Sequence, residues 1–159
     1  MSKKILGWAA VVLLLGGAFY LVQAQSTAQK TTSALPHLTS AQYANARAND
    51  VYVMLIGRSS CMPCKRAEQM VFVELAQRYK GAKNIHVVKV DLDEDKNTPA
   101  GTQKIEKIFH VTASPTMLVV QGGNTLWRWL DQQGEDRGFL KDDAGQVKAQ
   151  IIGVVDPLK

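Results

Sequence analysis

The chain of 159 residues holds two cysteines, and both lie in one run, Cys61-Met62-Pro63-Cys64. Two thiols at this spacing can join as a disulfide and hand that disulfide on by thiolate attack. The same spacing serves structural staples and soft-metal sites. A staple is a weak use of the pair, because closing so short a loop removes little unfolded-state entropy, roughly 2 kcal/mol if the loop formula is extended that far. A copper(I) site on Cys61 and Cys64, with Met62 as a further sulfur, is chemically feasible. His37, His86 and His110 are scattered along the chain, however, and no Met or His repeat accompanies the motif. The acidic run at 91–95 lacks the glycine and late glutamate of a calcium loop and reads as a solvated turn. No Ser/His/Asp set and no phosphate-cradling glycine loop is visible in the sequence.

Exchange requires a thiolate, so the elements around the motif decide its chemistry. Residues 51–56 form a continuous apolar, β-branched run that stops at Gly57, the pattern of a strand buried on both faces. Residues 65–80 carry Ala67, Met70, Val71, Leu75 and Tyr79 at helical spacing, closed by Gly81. The motif thus joins a strand to a helix. Cys61 falls at the helix N-terminus, where free N–H groups, the macrodipole, Lys65 and Arg66 all favour an anion and lower the thiol pKa below its free value of about 8.5. Pro63 suits the first helical turn. Cys64, one turn further in, is placed to resolve a mixed disulfide formed at Cys61.

The remaining pattern alternates. Thr39 or Ser40 can cap a helix running through Ala48. Residues 85–92 read as a second buried strand, 98–109 as mostly helix with Ile105, Ile108 and Phe109 on its apolar face, and 116–121 as a third strand before the turn Gly122-Gly123-Asn124. Residues 125–130 alternate enough for a further strand. Residues 139–152 read as a hairpin turning at Asp142-Asp143-Ala144-Gly145, which leaves too few residues for a closing helix. Trp127, Trp129 and Phe139 are core candidates before they are an exposed patch. The class is α/β: a central mixed sheet flanked by helices.

At this point the chain resembles the thioredoxin family. The resemblance rests on residues 51–56 leading into Cys61-Met62-Pro63-Cys64-Lys65, on Val87-Val88-Lys89-Val90-Asp91, and on Phe109-His110-Val111 followed by Ser114-Pro115-Thr116. It implies a thioredoxin-like fold over residues 39–159 and a thiol–disulfide oxidoreductase with Cys61 and Cys64 as its catalytic pair and no cofactor. It further implies a cis bond before Pro115, beside the cysteines, with the backbone of Ser114 pairing with the client and Met62 and Pro63 lining the contact. A proline that cannot donate to a ladder also belongs at a strand start. The chain departs from the family at Ser60, where thioredoxins usually carry Trp, and in its Met-Pro dipeptide. The family's buried acid would fall near Leu55, where there is none, although Lys89 matches the lysine close to that acid. Residues 121–138 have no counterpart.

Residues 1–24 read as a targeting segment. Lys3 and Lys4 precede the uncharged, largely apolar run 5–22, and Val22-Gln23-Ala24 offers a cleavage site. The run suits a cleaved signal peptide or an uncleaved inner-membrane anchor, and either one delivers the remainder to the periplasm. Polar residues 25–38 read as a linker. The formal charge of +5 includes Lys3 and Lys4, and the mild excess left has no dense basic run, which speaks against nucleic acid. Protein thiol or disulfide clients and a membrane thiol-redox donor or acceptor are the expected partners. Resemblance to tethered thioredoxin-like reductases favours reducing clients, whereas Lys65 and Arg66 favour a more oxidising couple. A thioredoxin-like accessory factor of a membrane assembly and a copper(I) chaperone are the alternative functions.

Overall fold

The structure is a computed structural model that describes residues 35–159. The targeting segment expected at 1–24 and most of the expected linker lie outside the described residues. Four strands form one sheet in the order β2-β1-β3-β4. They are β1 (Val51–Gly57), β2 (Ile85–Asp91), β3 (Thr116–Gln121) and β4 (Asn124–Arg128). β1 runs parallel to β2 and antiparallel to β3, and β4 runs antiparallel to β3. This is the mixed sheet of a thioredoxin-like fold.

All seven residues of β1 are buried, as its unbroken apolar run requires of a strand covered on both faces. Alternate residues serve two cores. Val51, Val53 and Leu55 point to one, with Phe72, Met117, Val119 and Ile151. Tyr52, Met54 and Ile56 point to the other, with Val90, Ile105, Phe109 and Leu118. The first face is covered by a long helical stretch made of α2 (Met62–Ala67), a π-helical turn (Glu68–Phe72) and α3 (Val73–Arg78), together with α5 (Ala144–Val155). The second is covered by α4 (Ile105–Ile108) and by Leu38, Tyr43 and Ala46 in and around α1 (Ser40–Tyr43).

Several elements differ from expectation. The helix expected through Ala48 ends at Tyr43, although Thr39 caps it with a full capping box. Its apolar stripe gives out, and Asp50 instead holds the backbone and guanidinium of Arg47 in a turn. Residues 98–104 are not helical. Helix appears only at Ile105–Ile108, where His110 at φ 48 ends it with Val111 bonded back to the Glu106 carbonyl, a Schellman closure. Residues 139–152 are not a hairpin. Asp142 and Asp143 lie in a 3₁₀ turn that leads into α5, whose Val147, Ile151 and Val155 recur every four residues and are fully buried. The closing helix is therefore present. The acidic run is not simply solvated either: Asp91 and Asp95 are buried, and Asp95 accepts bonds from the backbone and hydroxyl of Ser40. Trp129 and Phe139 are core residues. Residues 36–38 of the expected linker add a short parallel bridge on β2 through Lys89, with Leu35 and Leu38 buried.

Candidate functional site

Cys61 and Cys64 are joined by a disulfide at the C-terminal end of β1. Cys61 is the N-cap of α2, and its Sγ accepts the Cys64 N–H at 3.2 Å. Pro63 occupies the first turn, where a missing N–H removes no helical bond. Cys61 is half-buried, Met62 is 64% exposed, and Cys64 is 1% exposed. An attacking partner can therefore reach Cys61 and not Cys64. Lys65 and Arg66 stand exposed on the following turn, and no acid lies in the first turn of α2.

The approach to the pair is fastened to the end of β2. The Leu92 N–H donates to the Gly57 carbonyl at 2.8 Å, and Arg58 pairs with Asp93 at 2.8 Å. Ser59 donates to the Asp91 carboxylate, which also accepts the Asp93 N–H. The Cys61 N–H closes the turn on the Arg58 carbonyl at 3.1 Å. Gly57 is obligatory in this arrangement: a Cβ there would lie 2.5 Å from the Cys64 Sγ.

The Ser114–Pro115 peptide bond is cis, as the resemblance implied. Thr116 pairs with Ile56 across the sheet, so Pro115 stands at the end of β3 that adjoins the Gly57 end of β1. The cysteine loop and the Ser114–Pro115 loop thus share one pole of the sheet. Pro115 is buried and Ser114 half-buried.

One charged group beneath this pole had no place in the sequence reading. β1 has no acid, but the helical stretch supplies one in Glu68: it lies four residues beyond Cys64, its N–H donates to the Cys64 carbonyl, and its carboxylate meets Lys89 Nζ at 3.1 Å. Both side chains are more than 90% buried. Glu68 opens the π turn, with the Val73 N–H reaching back five residues to its carbonyl. The available signal was an acid in the buried stripe of the helix opposite a lysine in the largely apolar run of β2.

The fold and its cysteine pair place the chain among thioredoxin-like structures. One solved structure it resembles is the oxidised form of mitochondrial thioredoxin 3 from Saccharomyces cerevisiae, with a TM-score of 0.51 and 22% identity, covering 75% of this chain and 99% of that one. At that identity the likeness establishes the fold. No protein-family model matches the chain, and no curated protein does.

Proposed function

We propose that this chain is a periplasmic thiol–disulfide oxidoreductase that reduces disulfides in protein clients. The observation that supports the reading best is the asymmetry of the pair: Cys61 is reachable at the start of a helix, while Cys64 is buried one turn inside, at the same pole as a cis proline. In the dithiol state the Cys61 thiolate attacks one sulfur of a client disulfide. An S–S bond forms between Cys61 and the client, and the client's other sulfur leaves as a thiolate. The Cys64 thiolate then attacks the Cys61 sulfur, the Cys61–Cys64 disulfide forms, and the second client sulfur leaves. Two electrons pass to the client, and the two protons lost by Cys61 and Cys64 end on its two thiols. A membrane thiol-redox donor would return the pair to the dithiol state. The Lys3-Lys4 charge before the apolar run 5–22 supports export, with the chain either freed after Ala24 or held by an inner-membrane anchor.

The test combines activity with chemistry. Cys61→Ser should abolish reduction of a disulfide-bonded client, and alkylation of the reduced chain below neutral pH should label Cys61 first. A Cys61→Ser chain that retained full function would favour an accessory binding role. Equilibration with glutathione sets the direction: a value of about −270 mV supports a reductase, and one of about −120 mV would reverse it. A periplasm-dependent reporter fused after Lys159 should be active.

A further inference from the structure

Residues 129–138 belong to the stretch for which the family resemblance offers no counterpart, yet they end on the functional pole. The Trp129 N–H donates to the Met117 carbonyl, which carries the chain past the start of β3. An exposed turn follows, and Leu130 and Asp136 face each other in an antiparallel bridge. The bridge delivers the Asp136 carboxylate, with no exposed side-chain area, against the loop that precedes Pro115.

Every polar contact of that carboxylate concerns this loop or the residue that braces it. It accepts the Thr112 N–H and the Thr112 hydroxyl, each at 3.1 Å, and it lies 2.9 Å from the Thr116 hydroxyl. Arg128 grips it from the other side at 2.6 and 2.7 Å. The same guanidinium donates to the Phe109 carbonyl at 2.5 Å and the His110 carbonyl at 3.0 Å. One ion pair therefore holds both ends of residues 109–116: Arg128 fixes the end of α4, and Asp136 fixes the two residues on either side of Ala113, Ser114 and Pro115. Burial alone would raise the Asp136 pKa, but Arg128, the Thr112 backbone and the Thr116 hydroxyl together hold it down to about 2. The carboxylate is charged throughout the neutral range.

We propose that Asp136, braced by Arg128, is a positioning residue that holds the Ser114–Pro115 loop in shape for pairing with a client's backbone. The proposal rests on the oxidoreductase reading above. Asp136 acts through the loop and not on the sulfurs, so it should govern how tightly a peptide is held and leave thiol chemistry alone.

Full-length wild-type, Asp136→Asn and Thr112→Val chains are compared in reducing two substrates: a disulfide-bonded peptide, which offers a backbone to the loop, and hydroxyethyl disulfide, which has none. Asp136→Asn should raise KM for the peptide about tenfold with kcat within about twofold, the pattern of lost binding without lost chemistry. The rate with hydroxyethyl disulfide and the potential of the cysteine pair should not change. Thr112→Val, at an exposed position, removes one of the bonds without emptying the clasp, and should raise the peptide KM about threefold; it carries the test alone if Asp136→Asn fails to fold. Equal slowing with both substrates, or a moved potential, would overturn the proposal by showing that Asp136 acts on the thiols. An unchanged peptide KM in a folded variant would overturn it by showing that the loop holds itself. A wild-type chain that reduced neither substrate would overturn the oxidoreductase reading instead.

Discussion

Gly57 shows how closely one residue can be tied to a redox state. Its φ is ordinary, so backbone freedom is not the reason for glycine here. The reason is approach: an added Cβ would lie 2.5 Å from the Cys64 Sγ and 3.2 Å from the Cys64 Cβ. In the disulfide the Cys64 sulfur is tied to Cys61 and cannot turn away. In the dithiol it is free to change rotamer. Gly57→Ala should therefore penalise the oxidised form more than the reduced one. The expected result is a less negative potential in glutathione equilibration, by about 30 mV for each 1.4 kcal/mol of differential strain. An unchanged potential, with both forms equally destabilised, would show that the backbone absorbs the contact in either state.

At the scale of elements, the buried Glu68–Lys89 pair joins the π turn to β2 directly below the cysteine helix. A buried pair is held at a large desolvation cost, and removing one member leaves the other charge in a poor environment. Lys89→Met should thus cost about 3–5 kcal/mol in urea unfolding, and the added change Glu68→Leu should recover most of it. A double variant no more stable than the single one would show that packing, not charge, fails when Lys89 is lost. This pair also marks the limit of what the sequence made legible. β1, β3 and the cysteine helix could be read because each is signalled locally, by an apolar run, a breaker or a motif, and the cis proline followed from the family resemblance. Glu68 could not be placed, because only the fold brings it to Lys89, 21 residues away. The Asp136 clasp was hidden for the same reason, since Thr112 lies 24 residues earlier. α5 is hard to see in the sequence for a different one. The Asp142–Gly145 stretch has turn composition, and its acids in fact open a helix. The stripe of Val147, Ile151 and Val155 at four-residue steps was the better signal.

For the molecule as a whole, carboxylates held by fixed donors make stability depend on acid. Burial works against the charge of Asp95, but Ser40 and Thr98 lower its pKa below the usual carboxylate value. Arg47 does the same for Asp50. Asp136 is the largest buried case, at about 2 against an ordinary value of 3.8. A depressed folded pKa means that the unfolded chain takes up the proton first. The stabilisation from Asp136 is then complete above about pH 4 and is lost as pH falls from there through about 2. Its size at neutral pH is at most about 2 kcal/mol. Urea unfolding should accordingly give a stability that is level near pH 6–7 and declines below about pH 4. Asp136→Asn should be less stable than the wild type at pH 7, and the gap should narrow toward pH 2 as the wild-type carboxylate is neutralised. A gap that stayed constant across this range would mean that the asparagine disturbs packing around Arg128 and that the carboxylate's charge contributes nothing to folding.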